Sequence, residues 1–234
     1  MLTVEPTPIL YSLHNCPYAI RARMALLKAQ QRVRIRSIKL DNKPAELLQA
    51  SSKGTVPVLV LSENQPPLLA DETQVLEQSL DIMVWALSKN DPHGLLGDDS
   101  QSQLPLMLTL VEAFERDFDP ALNAFGCAKR YHEGAMIPLR QECERELAKL
   151  ESRLVEHRFL FGEHESLVDI ALLPFIRKFA RIDKQWFREA PYPKVRDWLN
   201  GYLNSPFFSK VMAKQPLWSV EQADVYFGDH HFKR

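Results

Sequence analysis

Cysteine is scarce in this chain: three residues in 234, Cys16, Cys127 and Cys143. A sparse, odd count argues against a disulfide scaffold and for a reducing compartment, so a cytoplasmic protein is expected. No apolar run approaches the ~18 residues that a membrane-spanning helix needs. The opening MLTVEPTPIL has neither a basic start nor a long apolar stretch, so no signal peptide is read there. Net charge is also nearly absent, at −1, which provides no global field for nucleic acid or an acidic membrane. No phosphate-binding loop or dinucleotide fingerprint is present. The seven histidines are scattered, and the pair His230-His231 has no companion cysteine, so no metal site is expected. One absence is local. Between Pro6 and Leu40 there is no acidic residue, against Arg21, Arg23, Lys28, Arg32, Arg34, Arg36 and Lys39. A positive field is expected there. The stretch lacks the interleaved aromatics of a nucleic-acid surface.

What is present is ordinary for a globular protein: 45% hydrophobic and 25% charged residues, enough for one large domain or two modest ones. The two halves differ. Ile9 to Leu13 predicts a short strand, and Ile20, Met24 and Leu27 lie on one face of a helix after Pro17. Val33 to Leu40 is β-branched and predicts a second strand. A short helix is expected over 44–50 with proline at its start. Val56 to Leu61 predicts a third strand, Gln74 to Glu77 a fourth, and Ser79 to Leu87 a helix. Residues 62–73 form a turn-rich connection. The order β-α-β-α-β-β-α is an α+β plan.

Residues 89–103 are polar, with proline and glycine, and are taken as a linker between domains at 1–88 and 104–234. Beyond them the signals are helical. Leu139, Cys143, Leu147, Leu150 and Leu154 make one stripe, and Ser166-Leu-Val-Asp169 has capping-box spacing. The segment from Glu221 onward, with Tyr226, Phe227 and Phe232, is not assigned by sequence.

The sharpest chemical feature is Cys16-Pro17-Tyr18-Ala19 between a strand and a helix. Cys16 is expected at the N-cap and Pro17 at the first helical position, where its missing N–H leaves no helical bond unmade. The free amides of the first turn and the helix dipole then favour thiolate over thiol. Ala19 in the fourth position leaves no resolving cysteine, so the chemistry is monothiol. The alternative is a buried structural cysteine, the usual fate of this residue type. Cys143 on the apolar stripe fits that description, and Cys127 leans the same way. Val56-Pro57 is the second feature, since a proline within a strand belongs at an edge, a bulge or a cis peptide.

Taken in order, four segments resemble the N-terminal domain of glutathione transferases, most closely the cysteine-type members. They are Cys16-Pro17-Tyr18-Ala19 with Arg21 and Arg23; Asn42-Lys43-Pro44; Gly54-Thr55-Val56-Pro57-Val58-Leu59; and Gln78-Ser79-Leu80-Asp81-Ile82. Ser166 to Asp169 resembles the family's buried capping box. The resemblance implies a thioredoxin-like domain followed by an all-helical bundle, a homodimer, and glutathione as cosubstrate. Cys16 would form a mixed disulfide with glutathione. Val56 would offer its backbone to the cysteinyl residue, with Pro57 cis. Lys43 would meet the glycyl carboxylate and Ser79 the γ-glutamyl carboxylate, as helix N-termini bind anions. Gln78 departs from the family pattern, which has an acid there, and implies weaker binding because the charge-assisted bond is lost. The implied activity is thiol transfer or reduction on an unidentified disulfide or small-molecule substrate. The alternatives are conjugation to electrophiles and a non-catalytic binding role. An acceptor pocket is expected near Phe125, Tyr131 and Trp186.

Overall fold

The computed structural model describes residues 7–61, 75–131, 134 and 136–228. Two compact units emerge: one runs to Pro92 and takes in the segment from Lys210 onward, and the other is His93–Ser209.

The first unit is built on β1 (Ile9–Ser12), α1 (Pro17–Lys28), β2 (Val33–Ser37), α2 (Ala45–Ala50), β3 (Val58–Val60), β4 (Val75–Leu76) and α3 (Ser79–Lys89). The sheet order is β4-β3-β1-β2, with β5 (Tyr226–Phe227) beyond β2. β1 and β2 are parallel, as their crossover helix α1 requires, whereas β3 runs antiparallel to β1 and β4 to β3. This is the expected thioredoxin-like plan. Ile9, Tyr11, Val58 and Leu47 of α2 form one core layer. Leu10 points to the opposite face, as strand alternation dictates, and α1 packs on α3. The expected connection over 62–73 and residue Gln74 lie outside the described residues.

The fifth strand was not anticipated. β5 (Tyr226–Phe227) pairs antiparallel with β2, Val33 opposite Phe227 and Arg34 opposite Tyr226. The Trp218 amide donates to the Ser37 carbonyl at 2.9 Å, and the Ile35 amide to that of Val225 at 2.8 Å. Residues 210–228 therefore belong with the sheet, and the assignment of everything from 104 to 234 to the helical domain is corrected. An open β2 edge offers unpaired amides and carbonyls, and this segment satisfies them. Phe232 lies outside the described residues.

The helical unit contains α4 (Ser100–Tyr131), α5 (Met136–Glu156), α6 (Leu167–Ile182), α7 (Lys184–Glu189) and α8 (Pro193–Leu203); α9 (Pro206–Val211) runs across the boundary. The stripe on α5 is as expected, with Cys143, Leu147, Leu150 and Leu154 buried. Burial pushes the Cys143 thiol up to about 12, so it is structural. α6 is buried on all faces from Leu167 to Ile176, the pattern of a central helix. Phe179 gathers the aromatic core, with Phe125, Phe118 and Trp186 ring centroids at 5.7, 5.9 and 5.8 Å. Phe125 is buried there, whereas Tyr131 is exposed.

Ser166 and Asp169 form the capping box at the start of α6, with the carboxylate as its centre. Asp169 accepts from the Ser166 amide at 3.0 Å and from the Ser166 hydroxyl at 2.9 Å. It also accepts from the Leu160 amide and from Trp198 Nε1, each at 3.0 Å. Burial raises its carboxyl against four donors that pull it down, and the balance lies at about 6. Ser166→Ala removes one of these bonds and should lower the stability of this unit by about 1 kcal/mol. An unchanged urea midpoint would show that the hydroxyl contributes nothing.

Candidate functional site

Cys16 lies just beyond the end of β1, where the strand gives way to α1. Its backbone is extended (φ −70°, ψ 123°), the N-cap geometry, and Pro17 occupies the first helical position. Its carbonyl accepts from the Ile20 amide at 2.9 Å. The side chain is half-buried, and the thiol donates to the Val56 carbonyl at 3.8 Å. The Val56–Pro57 peptide is cis. Two of the anticipated segments, distant in sequence, thus meet at the sulfur.

Lys43 meets the same region through Gly54. Gly54 has φ 57°, and a β-carbon there would lie 3.0 Å from Leu48 Cδ2 and 3.3 Å from Lys43 Nζ. The left-handed backbone is what favours glycine here. The Lys43 ammonium accordingly sits over the loop that leads to Val56.

Ser79 is the first residue of α3, and Gln78 holds the N-cap position with extended backbone. Ser79 is buried, Gln78 exposed. The Ser79 hydroxyl oxygen accepts from Arg21 Nε at 2.9 Å. The hydroxyl so engaged keeps one O–H donor of its own. Glu77 is turned elsewhere: it accepts from the Ser51 hydroxyl and from Lys53 Nζ at 2.9 Å. Those two bonds, Ser51 first, hold its carboxyl below the usual range.

The basic stretch around Cys16 is not the open positive face that composition implies. Arg21 and Arg23 are only 2% and 3% exposed. Arg32 stacks over Tyr226 at 4.0 Å, Arg34 pairs with Asp224 at 3.6 Å, and Arg36 lies 4.2 Å over Trp218. The strand arginines thus serve to hold the segment 210–228. Arg21 and Arg23 are the residues whose roles sequence reasoning missed. A signal was available: α1 reads Ala19, Ile20, Ala22, Met24, Ala25, Leu26, Leu27, apolar nearly all round, and such a helix buries whatever else it carries.

Among the described residues no cluster of three or more His, Cys, Asp or Glu side chains is placed to hold a metal ion, and no helix is long and apolar enough to cross a membrane.

Two family models match the chain: glutathione S-transferase N-terminal domain over residues 10–93 and glutathione S-transferase C-terminal domain over residues 109–201. Glutathione S-transferase omega-1 of Mus musculus is 30% identical over 209 residues, covering 87% of this chain and 80% of the mouse protein. The chain belongs to the glutathione S-transferase family. Solved glutathione transferases share its fold at lower identity. One is a family member from Pseudomonas fluorescens with two glutathione molecules bound (TM-score 0.73, 18% identity, 90% of this chain and 94% of that one). Another is glutathione transferase Omega 2C from Trametes versicolor (TM-score 0.69, 20% identity, 89% and 94%). Within this glutathione S-transferase framework, Cys16 occupies the turn from the first strand into the first helix, and Ser79 begins the last helix of the N-terminal matched region.

Proposed function

We propose that this glutathione S-transferase family member is a glutathione-dependent thiol transferase, with Cys16 as nucleophile and glutathione as cosubstrate. The observation that carries the reading is a half-exposed cysteine at the N-cap of α1, within reach of the Val56 carbonyl and with Ala19 where a resolving cysteine would stand. The first step forms a Cys16–glutathione disulfide: the thiolate attacks the glutathionyl sulfur of a mixed disulfide, and the substrate thiolate leaves and takes a proton. In the second step a glutathione thiolate attacks the glutathionyl sulfur of that adduct. Glutathione disulfide departs, and Cys16 returns as thiolate. One free glutathione is consumed per turnover: it leaves joined to the glutathionyl group taken from the substrate, and its proton balances the one gained by the substrate thiolate. No metal is required by these steps.

The arrangement of the other residues supports glutathione as the ligand. Val56 would pair its backbone with the cysteinyl residue, Pro57 shaping that segment. Lys43 would face the glycyl carboxylate. Ser79, with its oxygen already accepting from Arg21, would donate to the γ-glutamyl carboxylate at the α3 N-terminus. Gln78 would meet the glutamyl ammonium through a neutral amide oxygen, which is weaker than a carboxylate. Conjugation of glutathione to electrophiles is less well served, since Cys16 would compete for the glutathione sulfur.

Titration calorimetry with glutathione tests the site. Ser79→Ala should weaken binding about tenfold or more, the loss of a hydrogen bond to a charged group. Absence of any binding by the wild-type protein at millimolar glutathione would overturn the reading and favour a non-catalytic protein on the same scaffold.

A further inference from the structure

The turn that presents Cys16 has its own scaffold, and that scaffold is Arg23. The Arg23 guanidinium reaches out from α1 along two directions. Toward the turn, Nη1 donates to the Ser12 hydroxyl and, at 3.3 Å, to the Leu13 carbonyl, while Nη2 donates to the His14 carbonyl at 2.8 Å. The Leu13 carbonyl is also the acceptor for the Cys16 amide, at 3.3 Å. Arg23 is therefore one shared oxygen away from the backbone of Cys16. Toward the segment that follows α8, Nε donates to the Val211 carbonyl at 3.1 Å, and Nη2 lies 3.9 Å from Met212 Sδ. Ser12, His14, Arg23, Ala213 and Gln215 are among the residues that line a small cavity at this junction.

We propose that Arg23 is a positioning residue for Cys16, locking the turn Ser12–Cys16 and fastening it to the segment that begins at Val211. This rests on the reading of Cys16 as nucleophile. The physical case is the shape of the group. A planar fork with five N–H donors holds three consecutive residues of the turn and a carbonyl on the opposite side at once, which a lysine ammonium cannot do from one point. The contacts are backbone carbonyls for the most part, so they constrain the path of the chain. A sub-ångström change in where the sulfur sits is amplified in a displacement at sulfur, since misplacement by ~1 Å can cost about a hundredfold in rate.

Arg23→Lys keeps the charge and loses the fork. Three readouts on the full chain separate positioning from general support: amide exchange over 12–16, the rate of Cys16 alkylation by iodoacetamide, and the split between kcat and KM for glutathione. The expected result is faster exchange in the turn, with exchange over 139–154 unchanged. Cys16 alkylation should change while that of Cys127 does not, and kcat should fall about tenfold or more with KM for glutathione held. Ser12→Ala removes one acceptor without touching the charge and should give the same pattern in milder form, which keeps the test open if the lysine variant folds poorly. Wild-type exchange in the turn of both variants would overturn the proposal. So would a loosening spread evenly over β1, β2 and α1, or a rise in KM alone. Exchange and alkylation do not depend on turnover, so a wild-type protein without thiol-transferase activity would remove the functional reading and leave the Arg23 test standing.

Discussion

Cys16→Ser should abolish glutathione-dependent disulfide reduction, lowering the rate by at least about a thousandfold, as when an enzyme loses its nucleophile. Serine forms no disulfide, so the first step has no route. Of the remaining cysteines, Cys143 is buried in the α5 stripe, with its thiol pushed up to about 12, and Cys127 is exposed on α4 of the helical unit. Glutathione binding by the variant should persist, because Lys43, Val56 and Ser79 are untouched. A weak conjugating activity should emerge, since a hydroxyl donates to a glutathione thiolate without competing for it. The measurement is reduction of a glutathionylated test substrate, alongside calorimetry. A serine variant with full reductase activity would remove Cys16 from the chemistry.

Asp169→Ala should destabilise the helical unit by about 3 kcal/mol or more, because it leaves several buried donors without an acceptor at once. The Leu160 amide, the Ser166 amide and hydroxyl, and the Trp198 indole N–H all converge on this carboxylate. It therefore joins the turn before α6, the first turn of α6, and α8. The effect should be well above that of Ser166→Ala in the same urea titration. Equal midpoints for the two variants would mean that water or local rearrangement satisfies the donors.

Much of this was legible in the residues, for reasons that particular elements make clear. The β-α-β-α-β-β-α order was readable because each strand is short, β-branched and bounded by a helix or turn signal. Cys16 and Pro17 were placed correctly at the start of α1 because N-cap chemistry is local. The capping box was readable from the spacing of Ser166 and Asp169, although only the fold shows that the carboxylate draws donors from three elements. The rest depends on partners far along the chain. β5 is two residues long, too short for a periodicity, and exists because β2 offers an edge. α4 carries Pro105 and Pro120 inside a 32-residue helix, which local rules read as interruptions. Arg21 and Arg23 count as surface charge in any composition; the apolar run of α1 signals their burial, but their partners, Ser79 and Val211, lie far along the chain. Phe125 packs in the aromatic core around Phe179, and no local pattern distinguishes a core aromatic from one that lines a pocket.

The pairing of Val33 with Phe227 also orders events during synthesis. A ribosome makes β1 and β2 early and the whole of His93–Ser209 before it reaches the strand that closes the sheet. Domains generally form as the chain emerges, so the helical unit can be complete while the unit that precedes it still waits for its last strand. For that interval β2 presents an unpaired edge to every neighbouring nascent chain. The same delay applies to the Val211 carbonyl, and hence to the anchoring of the Cys16 turn. The turn around Cys16 gains this anchor only after the residues beyond Ser209 have been made.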